Sequence, residues 1–347
     1  IKWTIEKYDA TYFSHSQSNF SHQVSFSTAG NYHLSLSIPL EELSGSKRRS
    51  VRAEVYINGS PLDIGRAESG YIRDSSDHTK SSLHLDLILN DIQVDDILEV
   101  KVIKVTTPEG EVKTSGAKLF LQYLDPSREV LLLKANETVS GVNLNPTSAT
   151  AVAWTETEVK TSAFTHSVGS AQNIGINEAG DYRVSVNIPL QDPSGCPNSN
   201  YRSSVQAVVK LGGVQVNSGR ASQGYIRCME DHNFSTLHWF GVLHNVSAGQ
   251  NLTVEVIGEG DVNQQIIVPS SKKASISVEK LETSIKKISL SGNRLTTGTN
   301  WNPAGSGSVQ WSSLIEKDAT VFSHSTATNN HQVTFAESGD YLILYND

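Results

Sequence analysis

The chain repeats itself, and the length of the repeat limits what it can fold into. Blocks from its first part return in the same order in its second part, and the start of the pattern returns a third time. The matching blocks are Phe13–Ser16, Phe164–Ser167 and Phe322–Ser325, then Ala29–Tyr32, Ala179–Tyr182 and Ser338–Tyr341. The repeat is about 150 residues long, which is the size of a domain and far too long for a solenoid coil. The sequence therefore predicts tandem domains, with a third copy that stops at Asp347.

Aligning the copies on these blocks gives the expected domain boundaries. Repeat 1 spans residues 1–126 and lacks an opening strand, repeat 2 spans 131–282, and the first half of repeat 3 spans 286–347. Leu132–Asn136 and Ser289–Asn293 align as the opening strands of repeats 2 and 3. Since the chain starts at Ile1 and its one methionine is Met229, we expect a processed chain or a fragment of a longer protein, and the incomplete third repeat favours the fragment.

Composition and charge exclude two classes of partner. The 347 residues carry a formal net charge of −8, so no basic surface is expected to attract nucleic acid or anionic lipid. No stretch approaches the roughly 18 consecutive apolar residues that a membrane-spanning helix needs. We therefore expect neither nucleic-acid binding nor membrane insertion.

The two cysteines occur together in one repeat and are both absent from the other. Repeat 2 has Cys196 and Cys228, where repeat 1 has Ser46 and Asp74. A disulfide would be gained or lost as a pair, whereas unrelated thiols would not, so the pattern favours a bridge over two separate buried thiols. A bridge in turn indicates an extracellular or cell-surface location.

Hydrophobic periodicity predicts β structure throughout. Apolar residues alternate along matching segments of the first two copies, at Tyr32, Leu34, Leu36 and Ile38 and at Tyr182, Val184, Val186 and Ile188. Asn58-Gly59 and Gly212-Gly213 are residue pairs typical of two-residue hairpin turns. About eight short strands per domain without a helical period predict an all-β fold of tandem antiparallel jelly-roll β-sandwich domains, the third copy being incomplete.

The order of these segments resembles a known family. Segments Gly30–Tyr32, Val55–Gly59, Ser81–Leu87, Val94–Val100 and Ala117–Leu124 follow one another as in the C1q-like domain of the C1q and tumour necrosis factor jelly-roll superfamily. Asn143–Pro146 before Trp154, echoed by Asn300–Pro303 before Trp311, looks like the lead-in segment of bacterial and phage members. The resemblance implies a jelly roll that assembles, usually as trimers of single domains. This chain departs from that pattern because it has no collagen-like stalk and its domains are in tandem.

One strongly repeated loop region is a candidate site. Its members are Arg73, Asp77 and His78 in repeat 1 and Arg227, Asp231 and His232 in repeat 2. The Asp-His pairs could be metal ligands, with help from His84 and His238. The alternative is that each aspartate caps a turn and pairs with the arginine. Adjacent Asp and His cannot easily face one ion and no further carboxylate lies at ligand spacing, so we assign no metal.

One strand of repeat 2 carries unusual side chains on its outward face. His238, Phe240 and Val242 alternate with inward residues, where repeat 1 has His84, Asp86 and Ile88. Apolar residues on an outward face suggest contact with a neighbouring domain or chain. Cover by a loop of the same domain is the alternative.

No constellation of residues points to catalysis. The histidines of the repeated blocks, His15, His166 and His324, lack an aspartate in triad order and an oxyanion loop, so a structural role is expected. Glu41-Glu42 and Asp95-Asp96 are not repeated as pairs, which argues against a glycoside hydrolase. We expect a non-enzymatic extracellular structural protein without cofactors, forming a stalk, fibre, filament or adhesin array from copies of itself. The alternative is a C1q-like module that binds a surface glycan or a protein receptor.

Overall fold

The computed structural model describes most of the chain and divides it into two compact units. The described residues are 1–4, 6–44, 48–73, 79–105, 111–114, 116–135, 143–193, 202–227, 232–262, 265–292 and 308–343. The units are Ile1–Lys280 and Leu281–Asp347. In the described part of both, the regular structure is antiparallel β apart from a single turn of 3-10 helix at Val168–Ser170, which confirms the predicted all-β class. Within the described ranges, no helix is long and apolar enough to span a bilayer.

Repeat 1 forms a sandwich of two antiparallel sheets. The first sheet has the order β1-β2-β7-β4-β5, and in the second β3 lies between β6 on one side and β8 and β9 on the other. The strands are β1 Phe13–His15, β2 Gln23–Phe26, β3 Gly30–Ser44, β4 Arg48–Ile57, β5 Ser60–Arg73, β6 Lys80–Ile92, β7 Ile97–Lys104, β8 Glu111–Lys113 and β9 Lys118–Leu124.

Repeat 2 forms a second sandwich with the same core order of strands. Its sheets run β12-β10-β20-β15-β18 and β13-β14-β19-β16-β17, with β11 paired to β19. Chain connections cross between the two sheets, as in a jelly roll. The strands are β10 Val130–Ala135, β11 Thr150–Ala151, β12 Glu156–Lys160, β13 Phe164–Thr165, β14 Ile174–Ile176, β15 Gly180–Gln191, β16 Arg202–Leu211, β17 Val214–Arg227, β18 Phe234–Val246, β19 Asn251–Gly260 and β20 Ala274–Lys280.

The predicted alternation and turns are confirmed. Tyr32 and Tyr182 are fully buried at the start of the alternating apolar rows on β3 and β15. Asn58 and Gly59 have φ of 50° and 77°, and Gly212 and Gly213 have φ of 58° and 81°. Both turns therefore use the left-handed conformation at two successive positions, as a tight hairpin between twisted strands requires.

The opening strand of repeat 2, β10, serves two cores. Leu131 and Leu133 belong to the core of repeat 2, whose members all lie between Leu131 and Val278. Val130 and Leu132 point the other way and belong to the core cluster of repeat 1. Alternate residues of a strand face opposite sides, so one strand can contribute to both.

The second unit contains two short antiparallel strand pairs in its described part. They pair β21 Ile288–Ser291 with β22 Ser313–Lys317, and β23 Phe322–Ser323 with β24 Thr334–Phe335. Phe322, Phe335 and Tyr341 make edge-to-face ring contacts with one another, with centroids 4.5–5.7 Å apart.

Candidate functional site

The contact between repeats 1 and 2 contains buried hydrogen bonds and ion pairs, and we take it as the candidate site among the described residues. Strands β5 and β6 are the edge strands of the two sheets of repeat 1. They lie side-on against β15, β18 and β20 of repeat 2. Repeat 1 therefore contributes an edge to this contact, whereas repeat 2 contributes the outward face of a sheet.

Asn187 on β15 is the central side chain of the contact. Its Nδ2 atom donates to the carbonyl oxygens of Ile64 and Arg66, at 3.2 Å and 3.1 Å. The side chain is 1% exposed. Unpaired backbone groups on an edge strand would otherwise template pairing with another chain, so Asn187 takes the place of a neighbouring strand.

Other side chains of repeat 2 bond the same edges. Hydroxyl groups accept from or donate to the strand backbone, and a lysine donates to a carbonyl near the start of β5. The bonds run from Glu68 N to Thr236 Oγ1 (3.0 Å), from Ile88 N to Ser277 Oγ (3.2 Å), from Ser185 Oγ to the Asp86 carbonyl (2.9 Å) and from Lys272 Nζ to the Leu62 carbonyl (2.9 Å). The backbone of both edge strands is thus bonded by side chains of the sheet face.

A buried group of charges crosses the contact near Lys272. Lys272 Nζ of repeat 2 lies 3.5 Å from Glu54 of repeat 1, and Arg66 lies 2.9 Å from the same carboxylate. Burial lowers the pKa of Lys272, and the charge of Glu54 only partly opposes this. Burial likewise raises the pKa of Glu68, against the opposing charge of Arg52 at 2.9 Å. Buried ions of this kind are stable only while every partner is in place.

A second buried group surrounds a cavity of about 10 Å³, the size of one water molecule. In repeat 1, His33 Nε2 lies 2.9 Å from Asp86. In repeat 2, Arg183 pairs with Glu279, which also lies 3.2 Å from Arg128. Burial alone would raise the pKa of Asp86, but the charge and hydrogen bond of His33, together with Arg183, hold it below its usual range.

The structure places the predicted interface strand on the face that meets repeat 1. The ring of His238 stacks on that of His84, the matching residue of repeat 1, with centroids 6.3 Å apart. Phe240 lies next to His238 on β18, at 5.6 Å between centroids, and Val242 is half-buried on the same face. Burial, with a smaller contribution from the charge of His84, lowers the pKa of His238 to about 4 against the opposing charge of Asp86.

The predicted loop region is described only in part. Arg73 and Arg227 end strands β5 and β17, and the backbone N–H of Arg227 donates to the carbonyl of His232 at 2.9 Å. His232 is buried. Asp77, His78, Asp231, Cys196 and Cys228 lie outside the described residues, so the predicted disulfide and the arginine–aspartate pairing stay predictions.

The histidines of the repeated blocks are hydrogen-bonded at both ring nitrogens. In His15, His166 and His324, Nε2 lies 3.2–3.4 Å from a backbone carbonyl in each case. The Nδ1 atoms meet Glu6, Thr157 and the Gln332 carbonyl respectively. Each histidine therefore fixes local chain geometry.

Sequence reasoning missed Asn187, Thr236 and Lys272. The signal available was a difference between copies, since repeat 1 has Ser37 and Ser82 where repeat 2 has Asn187 and Thr236. A change from serine to a different polar side chain on an outward position indicates a new partner for that position, but not which partner.

No protein-family model matches the chain, and no curated protein matches it either. Solved structures of murine APRIL at pH 5.0, pH 8.5 and pH 8.0 are similar to it at 13%, 14% and 12% sequence identity. Each similarity covers 45% of this chain and 100% of the APRIL chain, with a TM-score of 0.29.

Proposed function

We propose that this chain is an extracellular structural repeat protein whose jelly-roll domains pack against one another to form a stalk, fibre, filament or adhesin array. The observation that carries the proposal is the edge-to-face contact, in which Asn187 bonds the carbonyls of Ile64 and Arg66. The two repeats use different surfaces, so the contact is heterologous. Heterologous contacts continue into rings or filaments, whereas self-complementary contacts stop at a pair.

The proposal assigns the domains to the C1q-like and tumour necrosis factor-like superfamily, of a bacterial or phage type. The antiparallel sandwiches, with chain connections that cross between their two sheets as in a jelly roll, support it. The proposed partners are further copies of the same domain, and no catalytic or cofactor role is assigned. The extracellular location depends on the predicted bridge between Cys196 and Cys228.

Electron microscopy of the native material, with light scattering on the purified chain, tests this role. We expect elongated particles with a regular spacing of domains. If the ends of particles associate, the average particle mass should increase with concentration. Compact particles of constant mass at every concentration would contradict the structural role. Compact particles that also bind a surface glycan saturably would favour the ligand-binding alternative.

A further inference from the structure

The two repeats expose opposite halves of the same contact. Arg66 and Glu68 on the edge of repeat 1 are 6% and 4% exposed, whereas the matching Arg220 and Ser222 on β17 of repeat 2 are exposed. Like β5, β17 is the last strand of its sheet. Repeat 2 therefore carries a second edge of the kind that repeat 1 buries.

The sheet faces show the opposite difference in exposure: the face of repeat 2 is buried and the matching face of repeat 1 is more exposed. Asn187 and Ser277 on the face of repeat 2 are 1% and 6% exposed. The matching positions of repeat 1 are Ser37, which is half-buried, and Phe120, which is 39% exposed. Serine is too short to bond two carbonyls two residues apart along a strand, as Asn187 does. The face of repeat 1 thus lacks the group that holds an edge.

We propose that the β17 edge of repeat 2 is a docking site for a further domain of this repeat, one that carries asparagine at the position of Asn187. The asparagine donates to the carbonyls of Ser218 and Arg220, which match those of Ile64 and Arg66. In sequence, the third repeat has Asn346 at this position, five residues after its Gly-Asp-Tyr block, as Asn187 is in repeat 2. The inference rests on the proposed structural role. It adds that the edge strand of one domain docks only on the sheet face of a domain with asparagine at the position of Asn187.

Chemistry on both sides supports this choice of partner. The β5 edge is held by amide and ammonium donors and by one hydroxyl acceptor, all from side chains of repeat 2. A face of that composition bonds edge backbone without strand pairing, which explains why β5 has no strand on its outer side among the described residues. The β17 edge offers the same backbone groups at the same spacing.

The first arm of the test uses the full chain. Hydrogen exchange of residues 62–68 in β5 is compared with that of residues 216–222 in β17. We expect β17 to exchange faster, and Asn187→Ser to speed exchange of β5 about tenfold, the size expected for losing one or two net hydrogen bonds. Unchanged exchange of β5 in the Asn187→Ser chain would overturn the role of asparagine.

The second arm adds the partner. The full chain is mixed with an excess of ¹⁵N-labelled repeat 2, residues 129–282, which keeps a complete core of its own. The label separates probe peptides from those of the chain. We expect β17 of the chain to become protected, and the probe to associate with itself through the same contact. The matched probe carries Asn187→Ser, the residue of repeat 1, and circular dichroism checks that both probes fold.

Three outcomes decide the inference. Protection of β17 by the asparagine probe alone supports it. Absence of protection, or equal protection by the serine probe, overturns it. If the chain forms filaments but β17 is not protected, this inference is wrong and the proposed function stands. If β17 is protected but no filaments form, this inference stands and the proposed function is wrong.

Discussion

At the scale of single residues, His238 couples the contact between repeats to pH. Its folded-state pKa of about 4 lies below the ordinary value of 6.5 because burial disfavours the charged ring. Between these values the unfolded chain binds a proton that the folded chain does not, so stability falls as the pH is lowered from 6.5 to 4. The full effect is on the order of 3 kcal/mol. We expect His238→Gln to flatten this part of the stability profile, measured by urea unfolding at pH 7.0 and pH 4.5.

The matched control is His331→Gln, because His331 is exposed. It should leave the pH profile unchanged. A His238→Gln chain with the same loss of stability between pH 6.5 and 4 as the parent chain would show that folding does not lower the pKa of His238.

At the scale of elements, substitutions in strand β10 should destabilise either repeat 1 or repeat 2, depending on which side of the strand they change. Leu132 lies in the core cluster of repeat 1 and Leu133 in that of repeat 2, and both are buried. Truncation of a buried leucine costs about 2–5 kcal/mol. Leu132→Ala should therefore speed hydrogen exchange most in β9 of repeat 1, and Leu133→Ala most in β20 of repeat 2. The same exchange pattern for both variants would contradict the two-sided role of the strand.

The ends of β16 and β17 give the predicted disulfide a structural context. Arg202 and Arg227 are register partners, and Cys228 directly follows Arg227 in the chain. A bridge to Cys196 would tie together the chain segments that flank this pair, adding roughly 3 kcal/mol for a loop of this length. Intact mass should therefore rise by two hydrogens on reduction. Two thiols that react with iodoacetamide in the native protein would contradict the bridge.

The sequence predicts strands and turns better than it predicts which surfaces of the two repeats contact each other. Alternation placed the inward leucines of β6 and the outward His84, Asp86 and Ile88 correctly, because periodicity is a local property of a strand. It could not show that Asp86 and Ile88 are buried by repeat 2, since that depends on which surfaces meet. The glycine and asparagine turns were predictable for the same local reason. The donors of the contact, Asn187 and Lys272, were not, because polar residues on an outward face have no sequence period.

At the scale of the whole molecule, the buried charges make repeats 1 and 2 depend on each other. Glu54 of repeat 1 lies among Lys272 of repeat 2, Arg66 and Arg52. Removing its charge leaves buried Lys272 and Arg66 without their ion partner, whereas Arg52 keeps Glu68, and breaking a buried pair costs about 3–5 kcal/mol. Glu54→Gln should therefore strongly lower the free energy of unfolding, whereas Lys272→Met alone should cost less, because Glu54 keeps its arginines.

The double variant is the decisive measurement. Adding Lys272→Met to Glu54→Gln removes the uncompensated ammonium group, so the double variant should be more stable than Glu54→Gln by itself. The matched control replaces Lys272→Met with Lys80→Met, whose side chain is 76% exposed beside Glu41 and which should give no rescue. Urea unfolding of the single and double variants gives the coupling free energy between the two positions. Costs that simply add would mean that this ion pair does not join the repeats, and that their contact depends on the other interactions, such as the side-chain hydrogen bonds to β5 and β6 and the shared strand β10.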